Sequence, residues 1–513
     1  MSLKSSAVVV THSDSYSRLL PRPSGRIDDP LNWSRTWKCI TFASQLIYVW
    51  VLVTSALSLA PLFPLLAEEF GLNDQQVSLL TGVNVITLGF ANLLIIPLSN
   101  LYGRRPICVM CGFLVVLTNV WQALATSYQS LLAARAVNGL VAATAETVMV
   151  QVIADIFFLH ERGLWVGLYF TLFSSGAFLG PIIAGNMAIY GWRSFMWLSV
   201  AMAAFSTLLL VFAFPETVYY RTIDSTGTSS PSAETPTSLQ KGNLDLEANN
   251  GQLGDYVGRG RPRKHQFLGV QMPPKKNRLP SFTHDLITPF LVFFNPIIFW
   301  SALMLAGPAC LVLLFNLSQS SLLSSYGWSP AAVGYSNFSF FVGCIVGALT
   351  AGPFSDWLIR RSTARNNGIR EAEMRLPALI PFICIHVVSN VIGAVGYERR
   401  WPWQVIVICG FGFSGASMTS IPTIGISYAL DSYSSISGEI MVIGTVMKNV
   451  LGFSLSYWIF DLQATAGWLS VYMVQFAVSM LPIVLTAPLY LYGKRLRRWT
   501  KDSKIHKIEI DVR

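Results

Sequence analysis

Apolar residues in this chain gather into long unbroken blocks instead of alternating or recurring as a one-sided stripe. Read as helices, the blocks give twelve spans at about 40–67, 76–101, 107–125, 130–156, 164–186, 193–214, 290–316, 331–359, 377–396, 403–430, 438–460 and 469–492. Each approaches or exceeds the ~20 residues that carry a helix across a hydrocarbon core. A helix that is apolar all round has no face to offer water and belongs inside a membrane or a large core. The pattern lapses once, for about 75 polar residues between the sixth and seventh spans, which divides the spans six and six.

Composition agrees. Apolar residues make up 52% of the 513 positions and charged residues only 12%, against roughly 25% charged in soluble domains. Mean hydropathy is +0.50. The expected fold class is an all-α membrane protein, twelve transmembrane helices in two pseudo-symmetric six-helix bundles. Its parts are a tail at 1–39, a first bundle at 40–217, a disordered connector at 218–289, a second bundle at 290–492 and a basic tail at 493–513. The connector reading rests on "DSTGTSSPSAETPTS", rich in Ser, Thr and Pro with few core-forming residues. The basic run "GRGRPRKH" and the dipeptides Ser230-Pro231 and Thr235-Pro236 lie in the same segment.

Charge sets the orientation. With both termini placed in the cytosol, the inner segments hold 31 of the 36 Lys and Arg residues, the outer loops three (Arg193, Arg399, Arg400), and the spans two (Arg135, Lys448). That bias is the one expected of a helical membrane protein. The net charge of +10 therefore reads as orientation and contact with anionic lipid, and not as a nucleic-acid surface. The first 36 residues are polar and basic without an apolar core, so no cleavable signal is expected and the first span serves as the anchor. The seven cysteines lie in or beside apolar runs, and Cys108-x-x-Cys111 opens a span; small apolar filling is expected, with no disulfide framework, metal or cofactor.

The two halves are related in sequence. At an offset of 256 residues and without a gap, "PLSNLYGRR" (97–105) lies over "PFSDWLIRR" (353–361), matching Pro97 with Pro353, Ser99 with Ser355, Asn100 with Asp356, and Arg104 and Arg105 with Arg360 and Arg361. Each copy ends the second span of its half. Paired arginines there could be mere headgroup anchors, but the duplication asks for more.

These residues carry a resemblance. The chain resembles the major facilitator superfamily, whose loop between spans two and three reads G-x-L-x-D-R-x-G-R-R. Here Leu98, Gly103, Arg104 and Arg105 match, while Ile96, Asn100 and Leu101 depart; the second copy keeps Gly352, Asp356, Arg360 and Arg361. "LLAARAVNGLVAA" resembles the family's fourth span. "GAFLGPIIAG" resembles the fifth-span pattern of antiporters through Gly176, Gly180, Pro181 and Gly185. "PET" (215–217) closes the sixth span, and "DDPLNWSRTWK" (28–38) is similar to the fungal drug:proton antiporter group, including its polyamine and histidinol permease-like branch. The resemblance implies two bundles rocking about a central cavity. It also suggests a gating role for the arginine corner, with Arg104 and Arg105 reaching the second half near Asp431 or Glu439 in one state.

Ionisable groups deep in the spans are functional candidates because their burial is costly. Glu146, about sixteen residues into span four, is the carboxylate placed to accept a proton or to face a cationic substrate. Burial favours its neutral form, which suits a group that loads and releases protons. Lys448 and Arg135 are its candidate partners, although Arg135, eleven residues away on the same helix, sits ~16 Å along the axis.

The resulting expectation is a proton-coupled secondary transporter of the plasma membrane, monomeric, exporting a small drug-like molecule or secondary metabolite. Uptake of a polyamine or other organic cation and a non-transporting sensor are the alternatives. No G-x-S-x-G, H-E-x-x-H or Walker loop occurs in the chain, so an enzyme or an ATP-driven pump is not expected.

Overall fold

The computed structural model describes Ser24 and residues 26–219, 258–268, 278–366, 371–433 and 437–500. Among them the regular elements are helical. In the first half these are α1 (Arg35–Leu57), the short α2 (Phe63–Phe70), α3 (Asp74–Tyr102), α4 (Arg104–Leu124), α5 (Tyr128–Ala142), α6 (Thr144–Ile156), α7 (Leu159–Met187) and α8 (Trp192–Ala213). The connector contributes α9 (His265–Leu268) and α10 (Arg278–Phe293). The second half contains α11 (Pro296–Ser325), α12 (Pro330–Arg365), α13 (Ile380–Glu398), α14 (Gly412–Ser432) and α15 (Ser437–Thr500).

Polar residues at the ends of the apolar blocks start the helices. The side chains of Ser34, Ser127, Asn295 and Ser329 each accept a hydrogen bond from a first-turn amide, and Asn73 forms a reciprocal capping box with Gln76. Eleven helical segments among the described residues are long and apolar enough to cross a membrane, with mean hydropathy of 1.5 to 2.3. The last runs from Gly438 to Gly493 and breaks at Gly467, whose φ of 78° and ψ of 171° are non-helical. Glu398 accepts from the amide of Leu469 just beyond the break, at 3.2 Å. The two legs, taken separately, are consistent with twelve crossings.

Span four carries a local irregularity at Ala143, whose φ of −57° and ψ of −25° remain helical, and it crosses as one apolar segment from Tyr128 to Ile156. Thr144 Oγ1 donates to Val141 O there at 3.2 Å, and the Tyr48 hydroxyl meets Thr144 Oγ1 at 2.9 Å. The Tyr169 hydroxyl donates to the carbonyls of Ala145 and Glu146 at 2.9 and 3.2 Å.

The expectation of disorder across 218–289 does not hold for two pieces. Gly260 pairs through its backbone with Asn32 and Ser34, while Gln266 donates to Asp28 O at 3.0 Å and its carbonyl accepts from Glu216 N at 2.9 Å. The basic run thus folds back onto the "DDPLNW" and "PET" motifs. Helix α10 packs on α3 and α15. The reason is tertiary: sparse in apolar residues, the run borrows backbone and amide partners from elsewhere in the chain. Ser230, Thr235 and the rest of 220–257 lie outside the described residues.

The face carrying the start of α1, the 102–104 turn and residues 214–219 is called the near face below, and the opposite one the far face. The two halves meet on the far face and at mid-depth. On the far face, Gln75 Nε2 donates to Tyr457 O and Asp461 Oδ2 at 2.7 and 2.9 Å, and Tyr335 donates to Asn186 Oδ1 at 3.0 Å. At mid-depth Glu146 meets Lys448. On the near face Asn100 of the first half donates to Asp285 of the connector helix α10 at 2.8 Å.

Candidate functional site: a charged cavity between the halves

Glu146 lies just past the irregularity at Ala143, and its amide donates to Ala143 O at 3.2 Å. Its side chain, 7% exposed, points to the interface of the halves and receives Lys448 Nζ on Oε1 at 2.6 Å. The other oxygen accepts from two amides, Asn449 Nδ2 at 3.0 Å and Asn92 Nδ2 at 3.3 Å. Asn92 belongs to the first half and is oriented by Thr147, whose hydroxyl donates to its Oδ1 at 2.9 Å. Lys448 and Asn449 belong to the second half, on α15. A single carboxylate therefore holds donors from both halves. Lys448 Nζ also lies 5.8 Å from the centroid of Phe173, within cation–π range.

These groups line a cavity of about 100 Å³. The rest of its wall is mainly apolar: Leu52, Val85 and Phe178 from the first half, Cys310, Leu313 and Met418 from the second. Glu146 and Lys448 are the charged groups in that lining. Phe178 stacks on Phe340 across the halves with centroids 5.3 Å apart. Phe340 in turn stacks on Phe411 at 4.4 Å, so it packs beside the cavity without lining it.

Arg135 is not part of this site. Fully buried, it donates to the carbonyls of Leu80 (3.1 Å), Ser55 (3.0 Å) and Ala56, and to Gln122 Oε1 (3.3 Å). Ser55 and Ala56 lie in the last turn of α1, where carbonyls have no helical partner. Arg135 thus caps α1 and ties it to α3 and α4; the negative end of a helix suits a cation. The structure brings Glu146 and Lys448 together and leaves Arg135 out.

The arginine corner is likewise a device of one half. Gly103 turns the chain at φ 101°, a conformation glycine adopts without strain. Arg104 pairs with Asp155 at 2.7 Å, and Arg105 donates to the carbonyls of Phe214 and Val211 at 2.7 and 2.8 Å. Glu216, fully buried, accepts from the amides of Arg104, Arg105, Thr217 and Val218 at 2.9–3.1 Å. These contacts stay within the first half, and in this conformation Arg104 and Arg105 do not reach Asp431 or Glu439. Asp431 instead pairs with Arg375 at 3.3 Å, and Arg375 lies 3.7 Å from Asp356. Arg360 and Arg361 are exposed on α12, which runs on to Arg365. The counterpart of the Arg104–Asp155 pair is thus Arg375–Asp431, beyond the reach of the ungapped offset.

The fifth-span glycines are close-approach positions. A side-chain carbon on Gly176 would meet Trp50 O at 3.0 Å, and one on Gly180 would reach Thr54 and Ser58 of the first span. On Gly185 it would meet Pro330 O at 2.5 Å; reciprocally, Gly334 faces Pro181 O at 2.7 Å. Gly176 and Gly180 seat α7 on the first span, while Pro181 and Gly185 seat it on α12 of the other half. Cys108 and Cys111 are buried in the core of the first half, with Gln45 donating to Cys108 Sγ at 3.4 Å.

Comparison with known proteins fits this architecture. The Major Facilitator Superfamily model matches residues 46–457. The chain belongs to the Major Facilitator Superfamily. This transporter is 25% identical to Protein HOL1 of Saccharomyces cerevisiae, over 96% of its own length and 92% of the relative's. It is 26% identical to an uncharacterized MFS-type transporter of Schizosaccharomyces pombe, over 96% and 90%. It is 24% identical to a probable efflux pump, mfs2, of Aspergillus flavus, over 87% and 100%. The crystal structure of the human organic anion transporter MFSD10 (TETRAN) superposes with a TM-score of 0.53 at 15% identity, covering 88% of this chain and 99% of that one; that likeness concerns the fold. The transporter is a multi-pass integral membrane protein.

Sequence reasoning missed Asn92, Asp285, Glu216 and Arg375 as site or gate residues. Asn92 could have been flagged, since a side-chain amide within an apolar span needs a partner. Nothing local marked which partner each would find.

Proposed function

We propose that this transporter is a proton-coupled carrier that exports a small organic molecule by alternating access, with Glu146 as the proton-accepting group. The observation that carries the reading is the Glu146–Lys448 pair, which spans the halves at the wall of the cavity. Lys448 and Asn449 sit on one helix and move together. When the halves rock apart at that level, Glu146 loses its ammonium and one amide in the same step and keeps Asn92. A carboxylate left in an apolar cavity without its cation favours protonation. Reclosure restores the ammonium and favours release. Proton loading thereby follows the conformational step, which is what coupling requires.

The charge balance of the cavity bears on substrate. One carboxylate is already matched by one ammonium, and the remaining wall is mainly apolar. That suits a hydrophobic molecule carrying at most one positive charge, able to compete with Lys448 for Glu146. A polyamine would bring several charges to a single carboxylate. The relative named as a probable efflux pump supports export over uptake. The excess of Lys and Arg on the near face supports placing it, with both termini, in the cytosol. Plasma-membrane location and a monomeric state complete the proposal.

The test is transport in proteoliposomes with an imposed pH gradient of either sign, using a panel of labelled aromatic monocations, neutral metabolites and polyamines. Gradient-driven flux of the aromatic compounds that disappears in Glu146→Gln supports the reading. Flux of polyamines alone would replace it with cation uptake. Gradient-driven flux that survives Glu146→Gln would remove Glu146 from the coupling role.

A further inference from the structure

The basic run of the connector is held in place by its backbone, and its charges point outward. Gly258 N and Gly260 N donate to Asn32 O at 3.0 and 2.9 Å, and Ser34 N donates to Gly260 O at 2.8 Å. A side-chain carbon on Gly260 would meet Ile27 O at 2.5 Å and Asn32 O at 2.8 Å, so this docking needs glycine. Phe267 fixes the other end. Its ring lies edge-on to Trp37 with centroids 6.4 Å apart, and the Arg105 guanidinium carbon lies 5.7 Å from its centroid. Between these anchors Arg259, Arg261, Arg263, Lys264 and His265 are exposed. Arg261, Arg263 and Lys264 form no ion pair among the described residues. The acids beside the run face the other way. Asp28, Asp29 and Glu216 are buried, and the last two accept from backbone amides.

Helix α1 sets the depth of the run. Thr36, Ile40, Ala43 and Ile47 are exposed at helical spacing and form one lipid-facing stripe. Arg35, also exposed, lies ~8 Å along the axis from Ile40, and the headgroup layer is about 5–8 Å deep on each side of the hydrocarbon. Gly260, paired with Ser34, therefore sits at the outer edge of that layer. We propose that the docked run and Arg35 bind an anionic phospholipid of the near-face leaflet, its phosphate held by Arg35, Arg261, Arg263 and Lys264 and an acyl chain lying along Ile40 and Ile47. Guanidinium groups pair bidentately with phosphate oxygens, and basic clusters at the end of a span recognise such headgroups. The apolar stripe beside the charges is what favours a lipid over a free phosphate. Gln266 ties the run to Asp28 O and Glu216 N, so a bound headgroup also holds the connector against the first half. The site is independent of whether Glu146 carries the coupling proton.

The test is titration of the purified full chain in neutral detergent with dioctanoyl phosphatidylinositol monophosphate, read by microscale thermophoresis. Dioctanoyl phosphatidylcholine and chain-free inositol bisphosphate are titrated beside it. The parent is expected to bind the phosphoinositide about tenfold or more tighter than either comparison compound. The combined Arg261→Gln, Arg263→Gln and Lys264→Gln variant alters exposed side chains and is expected to weaken that binding by about tenfold or more. Gly260→Val keeps every charge but drives a side chain into Ile27 O and Asn32 O, and is expected to weaken binding as well. The combined Arg360→Gln, Arg361→Gln and Arg365→Gln variant removes the same charge from exposed positions at the end of α12 and is expected to leave the affinity unchanged. Inositol bisphosphate binding as tightly as the phosphoinositide would make this a free-anion site and overturn the lipid. Parent-like affinity in the triple variant of the run, or in Gly260→Val, would overturn the docked run as the site. An equal loss in the α12 control would do the same, since net charge alone would then explain binding.

Discussion

Glu146 and Lys448 are 302 positions apart in the chain, and their charged atoms are 2.6 Å apart in the fold. One lies just past the irregularity of span four at Ala143, the other in the first leg of α15. Their meeting places an ion pair at the wall of an otherwise largely apolar cavity, where each charge depends on the other half of the molecule for its partner.

Glu146→Gln keeps the shape and both amide contacts but removes the ionisable group. Gradient-driven flux is expected to fall by about 100-fold or more, the lower end of what a positioned proton-transfer group contributes in enzymes. Substrate binding, read by tryptophan quenching or thermal shift, is expected to remain. Equal counterflow of substrate in the absence of a gradient would confirm that only coupling was lost.

Lys448→Met leaves Glu146 buried without its cation. Removing one partner of a buried pair costs about 3–5 kcal/mol, reduced here because the Lys448 side chain keeps 20% exposure to the cavity. The double variant with Glu146→Gln is expected to be more stable than Lys448→Met alone, measured by thermal unfolding in detergent. Additive losses would mean the pair has no coupling energy.

Arg135→Ala is expected to destabilise the first half by about 3 kcal/mol or more, since three backbone carbonyls and Gln122 lose a donor in a dry interior. Arg135→Lys is expected to recover only part of that, because an ammonium cannot reproduce the fork. The transport that survives should keep the parent's dependence on the pH gradient. A changed dependence would return Arg135 to the coupling site.

Gly185→Leu drives a side chain into the backbone of Pro330 on the other half. The far face is expected to be wedged apart, so that the native Cys310, only 2% exposed in this structure, is alkylated faster by a hydrophilic maleimide added from that side in proteoliposomes. Mass spectrometry of the Cys310 peptide reads the rate. An unchanged rate would show that the far face closes without the α7–α12 contact.

Much was legible in the chain before any coordinates. Block length and apolarity give the spans, because a helix in lipid must satisfy its own backbone and hide it behind apolar side chains, and both demands are local. The same holds for the suspicion attached to Glu146 and Lys448, since a charge within an apolar run is conspicuous wherever it later points. What tertiary structure decided is which groups meet. Arg135 was as conspicuous as Lys448, yet one closes a helix end and the other a cavity. Arg104 and Arg105 read as a bridge between halves, yet they are used up by Asp155, Glu216 and the carbonyls of the sixth span. Asn100 looked like a weakened copy of an aspartate until Asp285 of the connector helix was found opposite it. Hydrophobic length is a property of a segment. Charge pairing is a property of two segments, and only the packing of the halves brings the second within reach of the first.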